Sequence, residues 1–373
     1  MNRRCFIKDA AICACGLAAL GWPAGRARGA LGDRRYVRPA AHWKKLDEKK
    51  VECRLCPRRC VVADQENGWC GVRTNEGGEY FTEVFGRVVS LNNDPIEKKP
   101  LFHFLPSSLT LSLSTAGCNF ECQFCQNWEI SQFRPEQVPA RLGFVAPEKL
   151  AELARRYGSR SVAFTYGEPV VFFEYMLETA RAARSAGLAG VMISNGYIEK
   201  EPMQELCRTL GAVKVDFKAF SDDFYRRWCR GELKPVLETM KLVRSEGVWL
   251  EMVHLTIPTL NDSEEETKRL CDWVLKNLGP DVPLHFTRFH PTYKLKNLPP
   301  TPASTLEKQF KIARAAGINF PYVGNLPGHD GENTYCPQCK KLLIRRVGFS
   351  VLENNLKDGA CESCGREIPG VWK

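Results

Sequence analysis

Between residues 109 and 324, short apolar runs alternate with longer amphipathic ones. The runs at 109–114, 161–165, 190–194, 212–217, 249–255, 284–287 and 322–324 are apolar on both faces, as in strands covered on two sides. The intervening stretches 147–157, 170–186, 201–210, 234–246, 263–278 and 303–316 have helical periodicity. Pro147 suits a first helical turn, and Gly187, Gly247 and Gly317 suit helix ends. Strands separated by helix-length connections pair in parallel through right-handed crossovers. Six or seven such units predict an α/β fold, a partial TIM-like (β/α)6–7 barrel over residues 107–325. In that architecture the reacting groups lie on loops at the C-terminal ends of strands.

Smaller pieces flank this core. Residues 50–106 form a Cys-rich N-terminal segment, with a β-hairpin predicted from alternation around 80–84 and 87–91. Residues 95–106 carry two prolines bounding an aromatic patch and read as an ordered lead-in to the first strand. Residues 26–50 are a charged linker, and residues 334–373 a small C-terminal module.

With 373 residues the chain can bury one large core with appendages. Seventeen cysteines are many, and eleven fall into three tight groups. Short spacings of this kind read as metal sites kept reduced, whereas disulfide frameworks belong to small secreted scaffolds. Of the scattered remainder, Cys5, Cys13, Cys15, Cys207, Cys229 and Cys271, the last three read as small buried apolar residues.

The net charge of +10 is spread along the chain, with no run interleaving basic and aromatic residues, so there is no nucleic-acid signature. No stretch reaches the roughly 18 apolar residues of a transmembrane span. Arg3, Arg4, Phe6 and Lys8, followed by an alanine-rich stretch over 10–22, resemble a twin-arginine export signal within residues 1–30. That resemblance implies a periplasmic protein; a cytoplasmic one is the alternative.

The densest chemistry is at residues 117–128, GCNFECQFCQNW. Cys118, Cys122 and Cys125 offer three thiolates, whereas structural zinc and ordinary iron–sulfur sites take four ligands. A zinc or disulfide knuckle borrowing a cysteine from elsewhere is the plain alternative. With Phe124 before the third cysteine and an apolar strand leading in, the motif resembles the radical S-adenosylmethionine (SAM) signature. The resemblance implies a 4Fe–4S cluster whose fourth iron chelates SAM, and reductive cleavage of SAM to a 5′-deoxyadenosyl radical. The cofactor supplies that chemistry; the protein positions it and excludes side reactions.

Later strand ends carry polar residues in matching places. Tyr166, Gly167 and Glu168 resemble the Gly-Gly-Glu turn that holds the SAM amino group, with tyrosine for the first glycine. Read alone, the turn is only an acidic strand-to-helix connection. Ser194 and Asn195, and the pair Asp216 and Lys218, resemble the SAM carboxylate and ribose contacts of glycyl-radical activating enzymes. Asp216 and Lys218 alternate on one strand and so share a face; an internal salt bridge is the structural reading. Where those enzymes have an acidic residue, this chain has Ile193. The turn ending in Asn261 and Asp262 resembles theirs too. His290 falls where they place a SAM-proximal histidine, and Tyr293 is a candidate hydrogen-atom relay. His285 and Arg288 are further inner-face candidates, with a hydrogen-bonded core histidine the plain reading of His285.

Taken together, the phrases CRLCPRRC at 53–60, GWCGVR at 68–73, PIEKKPLFHFLP at 95–106 and IPGVW at 368–372 resemble the AmmeMemoRadiSam system radical SAM enzymes. The implied fold is a radical SAM barrel. The implied partners are a low-potential electron donor and Memo-like and AMMECR-type proteins, and no substrate is implied.

Two cysteine quartets remain. Cys336, Cys339, Cys361 and Cys364 form two C-x2-C knuckles with zinc-ribbon-like spacing; zinc is the default and rubredoxin-like iron the alternative. Cys53, Cys56, Cys60 and Cys70 lie within eighteen residues and predict a structural zinc site, with an auxiliary 4Fe–4S cluster as the alternative. Function then divides between a radical SAM enzyme abstracting hydrogen from a protein or other large substrate and a non-catalytic iron–sulfur electron carrier or sensor.

Overall fold

Each apolar run pairs with the next one along the chain. A computed structural model describes residues 31–373; residues 1–30, where a twin-arginine signal is expected, lie outside the described residues with Cys5, Cys13 and Cys15. Its largest sheet has eight strands in sequence order: β1 (Ser90–Pro95), β2 (Leu109–Ser114), β3 (Ser159–Phe164), β4 (Ala189–Ser194), β5 (Leu210–Phe217), β6 (Trp249–Thr256), β7 (Leu284–Arg288) and β8 (Pro321–Gly324). Strands β2 to β8 run parallel, and β1 runs antiparallel against β2. The sheet is therefore mixed.

Helices α1 (Pro147–Arg156), α2 (Phe173–Ser185), α3 (Lys200–Cys207), α4 (Leu233–Ser245), α5 (Glu264–Asn277) and α6 (Ala303–Ala316) each occupy one crossover. The stretch 170–186, expected as one helix, opens with a 3-10 turn at Pro169–Phe172 before α2 begins. Proline at the first position of that turn carries no N–H to leave unpaired. No helix among the described residues is long and apolar enough to cross a membrane.

The hairpin expected around 80–91 falls elsewhere. Arg73–Glu76 pairs with Glu79–Thr82, while Ser90–Pro95 joins the main sheet as β1. Gly77 and Gly78, at φ +68° and +86°, set the turn, because a two-residue hairpin of this kind needs positive φ at both positions. The polar sequence of β1 hid it, since an edge strand needs no alternating apolar face and tolerates Pro95 at its end.

Two faces of the sheet do different work. On β5, Val213, Val215 and Phe217 pack into the helix-covered core, while Ala212 joins Ala163, Val191 and Ile193 on the other face. Onto that second face fold Ile96, Leu101, Phe104 and Leu105 of the lead-in segment. Glu251 on β6 anchors this insertion, accepting from the backbone N–H groups of Phe102 at 3.0 Å and His103 at 2.8 Å. His285 Nε2 lies 2.8 Å from the same carboxylate, and both side chains are buried. The lead-in thus closes the inner face below the strand ends.

The C-terminal module, built on Leu342–Val347 and Ser350–Asn354, is tied to the same segment. Val371 N–H donates to His103 O at 2.7 Å, and Arg346 Nη2 to Phe102 O at 2.8 Å.

Candidate active site

The chain leaves β2 through a tight bend at Gly117. A Cβ there would stand 2.6 Å from Val72 Cγ1 and 3.0 Å from the Cys70 carbonyl oxygen, and φ is +98°, so only glycine fits. The loop then presents Cys118, Cys122 and Cys125 to one cavity of about 380 Å³. Phe120 N–H donates to Cys118 Sγ at 3.3 Å, and Cys125 Sγ lies 3.2 Å from Ser131 Oγ. Burial pushes the Cys118 and Cys125 thiols above their usual range. A hydrogen bond from the buried Cys229 thiol lowers Cys122 instead. Cys229 was expected only as core, and a lone cysteine a hundred residues away gives no sequence signal of such a contact.

Does this donor set fit an iron–sulfur cluster? Three soft ligands face one cavity, and buried thiols ionise when a metal replaces the proton. Among the described residues, the ligand atoms of the C-terminal quartet lie within 4.8 Å of one another. Three cysteines on one cavity wall leave room for a ligand that the protein does not supply.

The facing wall comes from the ends of β3 to β5. Gly167 N–H donates to Ser114 Oγ at 3.0 Å, and a Cβ on Gly167 would lie 2.7 Å from that oxygen. Glu168 accepts from Ser194 Oγ at 2.6 Å, Asn195 N–H at 2.8 Å and Val170 N–H at 3.1 Å. Burial nevertheless raises its pKa to about 7, against those three bonds. Tyr166 takes φ +67°, its carbonyl accepts from Asn127 Nδ2 at 2.8 Å, and its hydroxyl donates to Asp94 at 2.5 Å. Tyrosine in place of the first glycine is thus held by side-chain bonds that a glycine could not make.

Asp216 and Lys218 both line the cavity, as their alternation predicts, and Lys214 completes the row. Lys214 is ion-paired with Asp216. Burial lowers the Lys214 pKa, whereas for Lys218 the charges of Asp216 and Cys122 outweigh burial and raise it. Asn261 Nδ2 donates to the Lys218 carbonyl at 2.7 Å, so the turn after β6 braces the end of β5. Lys214 could have been read from the same i, i+2 pattern, extended one step back.

Lys99 was not anticipated. It lines the cavity with Lys98, donates to Asp94 at 2.7 Å, and is lowered by burial to about 8. No strand pattern marks it, because it follows a 3-10 turn in the lead-in.

Other candidates lie apart. His290 is exposed, and Tyr293 stacks on Trp128 with ring centroids 5.1 Å apart; neither lines the cavity. His285 is held by Glu251 and Arg288 Nε donates to Thr301 O at 2.9 Å, so both have structural partners. The C-terminal quartet closes tightly, with Cys336–Cys364 and Cys339–Cys361 sulfur separations of 3.6 Å. That matches the roughly 3.8 Å implied by tetrahedral metal–sulfur bonds of about 2.3 Å.

The chain is similar in part to known proteins. The model of the radical SAM superfamily matches residues 112–271, from β2 into α5. An uncharacterized protein of Methanocaldococcus jannaschii is 45% identical over 334 residues, covering 89% of this chain and 99% of the relative. The pyruvate formate-lyase-activating enzyme of Clostridium pasteurianum is 25% identical over 43% of this chain and 67% of its own length. Among solved structures, a radical SAM methyltransferase from Sphaerobacter thermophilus aligns with TM-score 0.48 at 14% identity, over 81% of each chain.

Proposed function

We propose the following for this chain, which belongs to the radical SAM superfamily and is related there to the activating enzymes: it cleaves SAM reductively and abstracts hydrogen from a protein or other large substrate. The observation that carries the reading is the single cavity with three thiols on one wall and Glu168, Asn195, Asp216 and Lys218 on the other. When bound, a 4Fe–4S cluster and SAM supply the 5′-deoxyadenosyl radical. Cys118, Cys122 and Cys125 would hold three irons.

The chain's own residues bind and orient. Gly167 lets the turn after β3 pack directly against Ser114 and the Thr115 carbonyl, which holds its backbone at the cavity. Glu168, fixed through Ser194 and Asn195, keeps one carboxylate face set before any ligand arrives. Lys214, Asp216 and Lys218 form a charge row for the polar end of SAM, with Lys218 kept protonated by its neighbours. The lead-in segment closes the inner face below them and so limits water. The sequential parallel strands support a partial radical SAM barrel, and the tight C-terminal quartet supports a zinc-ribbon-like appendage.

The resemblance to AmmeMemoRadiSam enzymes supports Memo-like and AMMECR-type partners, with a low-potential electron donor. The residues at 1–8 support twin-arginine export.

Anaerobic reconstitution with iron and sulfide, then reduction with dithionite in the presence of SAM, tests the reading. The expected product is 5′-deoxyadenosine. A well-formed cluster that yields none, even with candidate partner proteins present, overturns it. The electron-carrier reading predicts that SAM leaves the electron paramagnetic resonance spectrum of the reduced protein unchanged, and the three-ligand loop disfavours it.

A further inference from the structure

Arg58 reaches the cysteine loop from the N-terminal segment. Its Nε donates to the Asn119 carbonyl at 2.6 Å, and its Nη2 donates to the carbonyl of Arg230. One guanidinium edge thus joins two segments far apart in sequence, a task that suits its planar, fixed pair of donors. The Trp69 ring backs the guanidinium at 4.1 Å and the Tyr197 ring at 6.0 Å, both within cation–π range. Neighbouring residues hold the same stretch in place. Glu199 N–H donates to Leu55 O at 3.1 Å, and Arg59 Nε to the Glu199 carboxylate at 2.8 Å.

Both carbonyls belong to segments that frame the three thiols. Asn119 follows Cys118 directly, and Arg230 follows the π-helical turn Tyr225–Cys229 with φ +56°. That turn grips the cysteine loop through its backbone, with Glu121 N–H donating to Cys229 O at 2.9 Å and Gln123 N–H to Trp228 O at 3.0 Å. A Cβ on Gly231 would run into the Phe120 ring, so glycine there lets the two segments close. Arg58 extends the grip to the start of the loop.

The Asn119 side chain carries this contact across to the facing wall. Its Nδ2 donates to Tyr197 O at 2.8 Å, and its Oδ1 accepts from Asn195 Nδ2 at 2.8 Å. Asn195 Oδ1 in turn accepts from Tyr197 N–H at 2.9 Å, and the Asn195 N–H donates to Glu168 at 2.8 Å. Asn119 is 1% exposed and Asn195 5%, so a displaced partner is not readily replaced by water. Asn195 and Glu168 line the cavity, while Arg58 and Asn119 stand behind its wall.

We propose that Arg58 is a positioning residue for SAM binding. By holding the Asn119 and Arg230 carbonyls together it sets the Asn119–Asn195 pair, and through Asn195 the Glu168 carboxylate, against the cysteine loop. This role rests on Asn195 and Glu168 being SAM contacts, as proposed above. Arg58 is not part of the cavity lining, so its effect passes through those side chains.

A double-mutant cycle on the full chain, reconstituted anaerobically, tests the role. SAM affinity is measured by equilibrium dialysis, and iron is counted per chain, for wild type, R58M, N195A and the double variant. R58M is expected to keep the wild-type iron content and to bind SAM about tenfold more weakly. In the N195A background the same change should cost less than about twofold, because the path from Arg58 to the cofactor is already cut. Equal losses in both backgrounds, or no loss in either, overturn the proposal. Loss of iron in R58M overturns it too, since Arg58 would then support the cysteines instead. If R58M does not fold, R58K takes its place in the cycle, because an ammonium can reach only one of the two carbonyls. The expected loss is then about threefold in the wild-type background and none with N195A. A wild type that holds iron but binds no SAM overturns the catalytic reading together with this one, whereas normal wild-type binding with an additive cycle overturns this one alone.

Discussion

Ser194 Oγ donates to Glu168 Oε1 at 2.6 Å, joining the ends of two adjacent strands, β3 and β4, on the cavity wall that faces the three thiols. The bond fixes the carboxylate that sequence resemblance assigns to SAM. Burial outweighs it, leaving Glu168 raised from its ordinary 4.5 to about 7.

That shift has a sign that can be measured. Between about pH 4.5 and 7 the folded metal-free chain binds more protons at Glu168 than the unfolded chain does. Its stability should therefore fall as pH rises through that window, by roughly 3 kcal/mol at most from this group. Denaturant titrations at several pH values, compared between wild type and Glu168→Gln, check it. The variant's profile should be flatter, and equal slopes refute the assignment.

Asp216 sits between two cations, Lys214 and Lys218, on the cavity face. Asp216→Asn leaves the buried Lys214 without its ion pair, and the expected loss is about 2–4 kcal/mol of stability. SAM affinity, read by equilibrium dialysis on the reconstituted protein, should fall as well. The double change Lys214→Met with Asp216→Leu should recover much of the stability but not the SAM binding. Recovery of both would mean that the row is merely structural.

Much of this was legible beforehand because periodicity and loop chemistry reinforce one another. The apolar run at 109–114 coincides with β2, and the three cysteines beyond it fall at the cavity, since a buried parallel strand fixes where its following loop emerges. Lys214, one step before Asp216 on the same face, carries the same alternation and lines the same cavity. By contrast Lys99 and Asp94 lie just after a 3-10 turn and in a polar edge strand, where no periodicity marks a facing side. His290 shows the opposite failure, because a motif position fixes sequence order but not which way a loop turns. Beyond β7 the chain turns away, with Leu295 buried and His290 exposed.

From that placement follows a contrast between two variants. His290→Ala should keep 5′-deoxyadenosine formation within about threefold of wild type, whereas Lys218→Met should lower it by at least about a hundredfold, on the scale of about 2.7 kcal/mol. Product is measured by chromatography after dithionite reduction. Comparable losses in both would place His290 at the reacting centre after all.

Gly167→Ala tests how closely the β3 turn is packed. Its Cβ would stand 2.7 Å from Ser114 Oγ and 3.1 Å from the Thr115 carbonyl oxygen, and backbone cannot swing aside as a side-chain tip can. A displaced turn should cost about 1–3 kcal/mol and weaken SAM binding, with iron content unchanged because the cysteine loop is untouched. Ser114→Gly in the same chain removes the nearer clash but not the one with Thr115. The double variant should therefore recover only part of the affinity, and full recovery would show that the turn yields more easily than its packing implies.

The C-terminal quartet provides the last test, because its tight geometry and its position make separable claims. Four sulfurs within 4.8 Å of one another suit one tetrahedral ion, and the module they close is bonded to the lead-in through His103 and Val371. Cys336→Ser with Cys339→Ser should remove about one zinc per chain while leaving iron unchanged. Limited proteolysis should then cut within residues 334–373 far sooner than in wild type, since a small three-stranded sheet has little core to hold it without metal. Loosening should spread to the lead-in, where Leu105 N–H donates to Val371 O at 2.7 Å, and appear as faster amide exchange over residues 101–105. If zinc is lost but exchange there stays slow, the lead-in is held by Glu251 and by its own packing on the sheet, independently of the module.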